Sequence, residues 1–138
     1  MPPEGSGGRA LIVIAHGSRS NAANDEFRAV LGKLRADELG YSHIEGAFLE
    51  AAPPALGAVV ECLAQCRVAA IDVYPMFFNC GRHVSRDIPE LVRVLRGQYP
   101  ALPIKLLPYF GSFDGLAGVM SEHITRSATE HGRTVDQT

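Results

Sequence analysis

The sequence lacks a marked excess of either charge: 13 lysines and arginines stand against 15 aspartates and glutamates in 138 residues. It has no basic field to draw it to nucleic-acid phosphates, and a nucleic-acid partner is not expected. Cysteine is scarce, at Cys62, Cys66 and Cys80. Three thiols without paired C-x-x-C knuckles form neither a disulfide framework nor a structural zinc site, so reduced thiols in a cytoplasmic protein are expected. No apolar run approaches the roughly 20 residues of a membrane helix, and the opening MPPEGSGGR has no basic start followed by an apolar stretch. A soluble chain with no membrane partner follows. The P-loop and the G-x-G-x-x-G fingerprint are also missing, which leaves Gly17-Ser18-Arg19-Ser20 only a weak signal for cradling an anion in the first turn of a helix.

What is present is alternation of strand and helix patterns. A chain of this length is expected to form one domain, with a flexible segment at residues 1–9, a single α/β body over 10–128 and a flexible polar tail at 129–138. Ala10 to Ala15 is an unbroken apolar run, the pattern of a strand covered on both faces. Phe27, Val30, Leu31 and Leu34 then recur at helical spacing, predicting a helix over about Asn21 to Leu39 that stops at Gly40. His43 to Leu49 reads as an edge strand, and Pro53-Pro54 opens a helix with Leu56, Val59, Val60 and Leu63 inward. Val68 to Tyr74 is a third strand. Asp87 and Glu90 have the spacing of a capping box for a helix burying Ile88, Leu91, Val92 and Leu95, with Pro89 in its first turn. Ile104 to Leu107 is a fourth strand, followed by Gly111-Ser112 and a helix with Leu116, Val119, Met120 and Ile124 on one side. This succession predicts an α/β, flavodoxin-like, doubly wound parallel sheet of four strands in the order 2-1-3-4, with helices on both faces.

Three chemistry-bearing residues fall at equivalent places in three successive units: His16 in AHGSR, Glu50 in FLEAAP and His83 in CGRHV, 34 and then 33 residues apart. Each follows a predicted strand, and the 2-1-3-4 order brings those strand ends to one crevice. Imidazole and carboxylate suit Fe(II), Co(II), Ni(II) and Zn(II), and three ligands leave a position open for chemistry. Taken singly, each residue has an ordinary reading as a cap or a solvated group; their recurrence is what singles them out. His43, His123 and His131 have structural explanations in an edge strand, a helix stripe and the tail. Cys62 and Cys66 share a helix face and read as small buried hydrophobes, and Cys80, three residues before His83, reads as an inert thiol sooner than as an extra ligand.

The segments HGSR, GAFLEAAPP and PMFFNCGRHVSRDIP resemble the small sirohydrochlorin chelatases, also called small anaerobic cobaltochelatases, the single-domain form of the class II chelatases. The likeness runs from about Arg9 to Ile124. It implies insertion of a divalent metal, Co, Fe or Ni, into sirohydrochlorin, with the metal as substrate and no organic cofactor. It also implies a homodimer whose two sheets face a shared tetrapyrrole cleft. By position, His16 and His83 would bind the metal and Glu50 would serve as an added ligand or proton acceptor. The tetrapyrrole carboxylates call for forked hydrogen bonds, and Arg19, Arg82 and Arg86, with Ser18 beside them, are the candidates. Two other readings stand beside this one. A non-catalytic metal or tetrapyrrole carrier needs the same residues. A histidine phosphatase also places His-Gly after its first strand, but it carries Arg before that histidine where this chain has Ala15.

Overall fold

The first, second and third strands end level with one another, and this positions everything that follows. In the computed structural model, which describes residues 7–135 and side chains as far as residue 130, β1 spans Gly7–Ala15, β2 His43–Phe48, β3 Val68–Pro75 and β4 Ile104–Leu106. They form one parallel sheet in the order β2-β1-β3-β4, the predicted 2-1-3-4 arrangement. Ala15 pairs with Phe48 and Ile14 with Pro75, so the chain leaves the sheet at a common rim.

Four helices connect and follow the strands: α1 at Asn21–Ala36, α2 at Leu56–Gln65, α3 at Ile88–Gln98 and α4 at Leu116–Val135. One face of the sheet, with Ile12, Ile14, Ile71 and Val73, packs against Val60 of α2 and Ile88 and Val92 of α3. The other, with Leu11, Val13, Ile44 and Phe48, packs against Phe27 and Leu31 of α1. The unbroken apolar run in β1 follows from this two-sided cover. Burial of side chains such as these contributes about 1.5–3 kcal/mol each, which outweighs local propensity in fixing the elements.

Several sequence expectations change. Strand β1 takes in Gly7 to Arg9 from the segment expected to be flexible, because pairing with β3, Gly7 beside Val68, overrides the low strand propensity of glycine. Helix α1 ends at Ala36, and Val30 and Leu91 are exposed at 42% and 39%, since each lies at the border of a stripe. Helix α4 continues through the segment expected to be a flexible tail from residue 129, with Thr129 donating to the Thr125 carbonyl. Cys62 and Cys66 are exposed, because the buried stripe of α2 is Leu56, Val59, Val60 and Leu63 and they fall off it. Residues 1–6 and 136–138 of the two expected flexible segments, and the side chain of His131, lie outside the described residues. Among the described residues no helix is long and apolar enough to cross a membrane.

Candidate metal centre

The rim loops of β1 and β2 continue the pairing of their strands, and this sets His16 against Glu50. Leu49 N–H donates to the Ala15 carbonyl at 2.8 Å and Glu50 N–H to the His16 carbonyl at 3.0 Å. Gly17, at φ +95°, lies so close to the Glu50 carbonyl that a Cβ there would overlap it. His16 Nε2 and Glu50 Oε1 meet at 2.7 Å. The third strand is tied to the same rim by Met76 N–H donating to the Ile14 carbonyl at 2.8 Å.

After β3 the chain crosses the Phe77–Gly81 loop and enters a wide π-type turn at His83–Asp87 that runs directly into α3. Wide turns of this kind re-aim side chains and recur at functional sites. Here the turn brings the His83 imidazole to 5.0 Å from that of His16, centroid to centroid. His16, Glu50 and His83 each offer a ligand atom within 4.8 Å of the others. Atoms about 2.0–2.2 Å from a shared ion are at most about 4.4 Å apart, so a small side-chain adjustment brings the three onto one ion. His16 and Glu50 are about half exposed and His83 somewhat less, so the trio opens to solvent at the rim.

Asp87 is the first correction in this region. Its backbone is already helical, its side chain caps no N–H, and its Oδ2 lies 2.7 Å from His83 Nδ1. Glu90 bonds to Arg93 at 2.6 and 3.0 Å. The capping-box reading therefore gives way to a carboxylate that holds the imidazole through Nδ1 and leaves Nε2 as its other ring nitrogen, an arrangement that commonly orients metal-binding histidines.

The Gly17–Ser20 turn, read as a weak anion cradle, keeps part of its donor set for itself. Ser18 N–H donates to Asn24 Oδ1 at 3.1 Å and Ser20 N–H to Ser18 Oγ at 3.0 Å, while Ser20 caps α1 through Ala23 N–H. The Ser18, Ser20 and Ala23 N–H groups are thus engaged within the turn. Asn24, only 4% exposed, returns its amide to the Ser18 carbonyl at 2.8 Å and fixes the loop behind His16. Its sequence signal was a polar residue at a stripe position, three before Phe27.

Arg82 is exposed and lines a pocket of ≈ 350 Å³ beside His83, with Phe77, Phe78 and Asn79. Phe77 stands 6.4 Å from the His16 ring and 6.5 Å from the His83 ring, an aromatic flank to both imidazoles. Phe78, 66% exposed, packs edge-on to Phe110 at 5.5 Å. Arg19 and Arg86 are exposed, with Arg86 close enough to Glu90 to lower its pKa behind the larger effect of Arg93. Cys80 is exposed and lies outside the ligand cluster.

A family model described as CbiX matches residues 10–127. The sirohydrochlorin cobaltochelatase of Methanococcus maripaludis is 26% identical over 88 residues, covering 64% of this chain and 60% of that protein. Among solved structures, a cobalamin (vitamin B12) biosynthesis CbiX protein from Marinobacter aquaeolei VT8 superimposes with a TM-score of 0.78 at 21% identity, covering 88% of this chain and 98% of that one. The sirohydrochlorin chelatase SirB from Bacillus subtilis subspecies spizizenii, in complex with cobalt, superimposes with a TM-score of 0.77 at 24% identity, covering 87% of this chain and 51% of that one. At these identities the structural likenesses establish a shared fold. The chain spans about half the length of several curated relatives that it matches. Because the matching model takes in all four strands, the rim with His16, Glu50 and His83 and most of the helices, the chain belongs to the CbiX family.

Proposed function

We propose that this protein inserts a divalent metal ion, Co, Fe or Ni, into sirohydrochlorin. The observation that carries this reading is the convergence of His16, Glu50 and His83, from three separate loops, to within 4.8 Å. Relatives named as sirohydrochlorin cobaltochelatase and ferrochelatase support the substrate and two of the metals. Nickel belongs to the same range because a histidine and carboxylate set follows the general affinity order of divalent ions without excluding it.

Insertion requires three acts: stripping water from the ion, holding it over the face of the ring, and removing two pyrrole protons. His16 and His83 hold the ion through neutral imidazole. His83 is fixed in orientation by Asp87, so its lone pair is directed before the metal arrives. Glu50, already 2.7 Å from His16 Nε2, serves as an added ligand and takes up one of the two protons as the metal moves to the ring, the other passing to a histidine that the metal has left and from there to water. The open rim admits a flat macrocycle. Arg82, and more distantly Arg19 and Arg86, meet its carboxylates, with Ser18 shaping the turn that carries Arg19.

The active unit is a homodimer in the cytoplasm. Its support is the length relation to longer relatives, half of which one copy supplies, and the three cysteines, none of them in a disulfide. The test is anaerobic absorbance of sirohydrochlorin with Co(II), Fe(II) or Ni(II) and catalytic amounts of protein. Multiple turnovers, lost in His16→Ala and His83→Ala while circular dichroism stays unchanged, are expected. Spectral change only in proportion to protein would identify a carrier and overturn the enzyme reading. Hydrolysis of a phosphate ester in place of insertion would identify the phosphatase alternative.

A further inference from the structure

The outer edge of the sheet carries donors that the rim does not use. Helix α2 follows β2 and runs back beside it, so the last turn of α2 stands near the first residues of that strand. Cys62 and Cys66 of α2, both exposed, and His43 and Glu45 of β2, both half-buried, line one pocket of ≈ 360 Å³. Six residues of strand, about 20 Å, separate His43 from the rim, so this pocket is apart from His16, Glu50 and His83.

The spacing of the two cysteines suits a shared ion better than a bond between them. Cys66 N–H donates to the Cys62 carbonyl at 3.0 Å, so helical spacing holds through both and sets their Cβ atoms about 5–6 Å apart. A disulfide calls for about 3.5–4.5 Å between Cβ atoms. An ion about 2.3 Å from each sulfur spans sulfurs up to about 4.6 Å apart, which two cysteine side chains one helical turn apart can reach.

His43 supplies a third donor, and its neighbour fixes which nitrogen is offered. Ser42 Oγ donates to the Arg9 carbonyl at 3.1 Å and lies 3.0 Å from His43 Nδ1. A hydroxyl has one proton, and here the Arg9 carbonyl receives it. Nδ1 must therefore carry the hydrogen in the contact with Ser42, which leaves the Nε2 lone pair of the neutral ring bare. That is the outer arrangement that prepares an imidazole for a metal.

We propose that Cys62, Cys66 and His43 form a second metal site, for a thiophilic divalent cation of the Zn(II) class. Two thiolates and an imidazole favour such an ion over Mg(II) and Ca(II), which take oxygen ligands. Among the described residues only the rim trio already has three donors within 4.8 Å, so the ion at this second site draws its ligands together as it binds, and the thiols release their protons. Glu45 faces Arg35 Nη2 at 3.8 Å and is left out of the set. The bound ion ties the end of α2 to the edge strand. Its distance from the rim makes the site independent of the insertion reading.

The test titrates the reduced full-length protein with Co(II) under argon, because thiolate bound to Co(II) gives an intense near-ultraviolet charge-transfer band that imidazole and carboxylate do not. A band that saturates at about one Co(II) per chain, and that Zn(II) erases by displacement, is expected. It should persist in His16→Ala/His83→Ala and in Cys80→Ser and disappear in Cys62→Ser/Cys66→Ser, whose exposed positions leave the core untouched. His43→Ala should weaken Co(II) binding at this site by about 10-fold or more, and Ser42→Ala should weaken it by about 10-fold. No thiolate band, or one that survives in Cys62→Ser/Cys66→Ser, would overturn the site. A band lost in His16→Ala/His83→Ala would assign the thiolate to the rim and overturn it equally, and unchanged affinity in His43→Ala would overturn the three-donor set.

Discussion

His83 Nδ1 lies 2.7 Å from Asp87 Oδ2 across one wide helical turn, and this contact occupies one imidazole nitrogen and leaves the other, Nε2, for a different partner. A carboxylate in that place raises the basicity of the ring and fixes its rotation. Asp87→Ala should therefore lower Co(II) affinity about 10–100-fold, while Asp87→Asn, which keeps an oxygen for Nδ1–H, should recover part of the loss. Anaerobic Co(II) titration followed by visible absorbance measures both. Equal affinity in the three proteins would reduce Asp87 to a bystander.

Two glycines should respond to alanine with opposite signs. Gly17 has φ +95° and no room for a Cβ beside the Glu50 carbonyl, so Gly17→Ala strains the turn and separates the loops that join His16 to Glu50. A cost of about 1–3 kcal/mol, with a larger fractional loss of metal affinity, is expected. Gly32 lies in α1, where an added Cβ would meet nothing within 4 Å. Gly32→Ala should stabilise by about 0.5–1 kcal/mol through helix propensity. Urea unfolding of the two variants side by side decides the matter.

The order of the sheet and the convergence of the three ligand-bearing residues were legible because both depend on repeated, long-range regularities: apolar runs buried on two faces, and a recurrence of strand ends. Asp87 was not legible, since Asp-x-x-Glu before an apolar stripe fits a helix cap equally well, and only the wide turn at His83 distinguishes the two. Phe77 and Asn24 act through contacts with residues brought near by the rim loops, and local spacing carries little record of such contacts. The stripe of α4 was readable as apolar, but periodicity alone does not say whether a stripe covers its own sheet. Cys62 and Cys66 depart from expectation for a related reason: a four-residue spacing says that two side chains share a face, not which face is buried.

Under the proposed function, Arg82 is the arginine that would grip a tetrapyrrole carboxylate, being exposed and beside His83 in the pocket with Phe77 and Phe78. Its contact would form in the bound complex as much as in the transition state. Arg82→Ala should accordingly raise KM for the tetrapyrrole several-fold and change kcat by less. Arg86, nearer Glu90, and Arg19, across the rim, should give smaller effects in the same assay. Equal KM values for Arg82→Ala and the unaltered protein would remove this residue from the proposed site.

Away from the rim, Asp72 is buried and receives Tyr41 Oη and Arg9 Nη2, each at 2.6 Å. Burial opposes its ionisation, but the two hydrogen bonds, Tyr41 first and then Arg9, outweigh it and hold the carboxyl below its ordinary value. A depressed carboxyl stabilises the fold above the ordinary carboxylate range of about 4, and the contribution is lost as pH falls through the lower folded value. Tyr41 behaves in the opposite sense. Burial, reinforced by the bond to Asp72, pushes its phenol up to about 12, so its contribution is present below the unfolded value of about 10 and is lost as pH rises through about 12. Tyr41→Phe should cost about 1 kcal/mol near neutrality, weaken the acid slope by removing one donor to Asp72, and reduce the alkaline slope between about 10 and 12. Part of that slope should remain, because burial also raises the Tyr74 phenol. Urea unfolding across the pH range measures all three effects. An alkaline slope unchanged in Tyr41→Phe would assign it to Tyr74 and leave Tyr41 as a donor to Asp72 only.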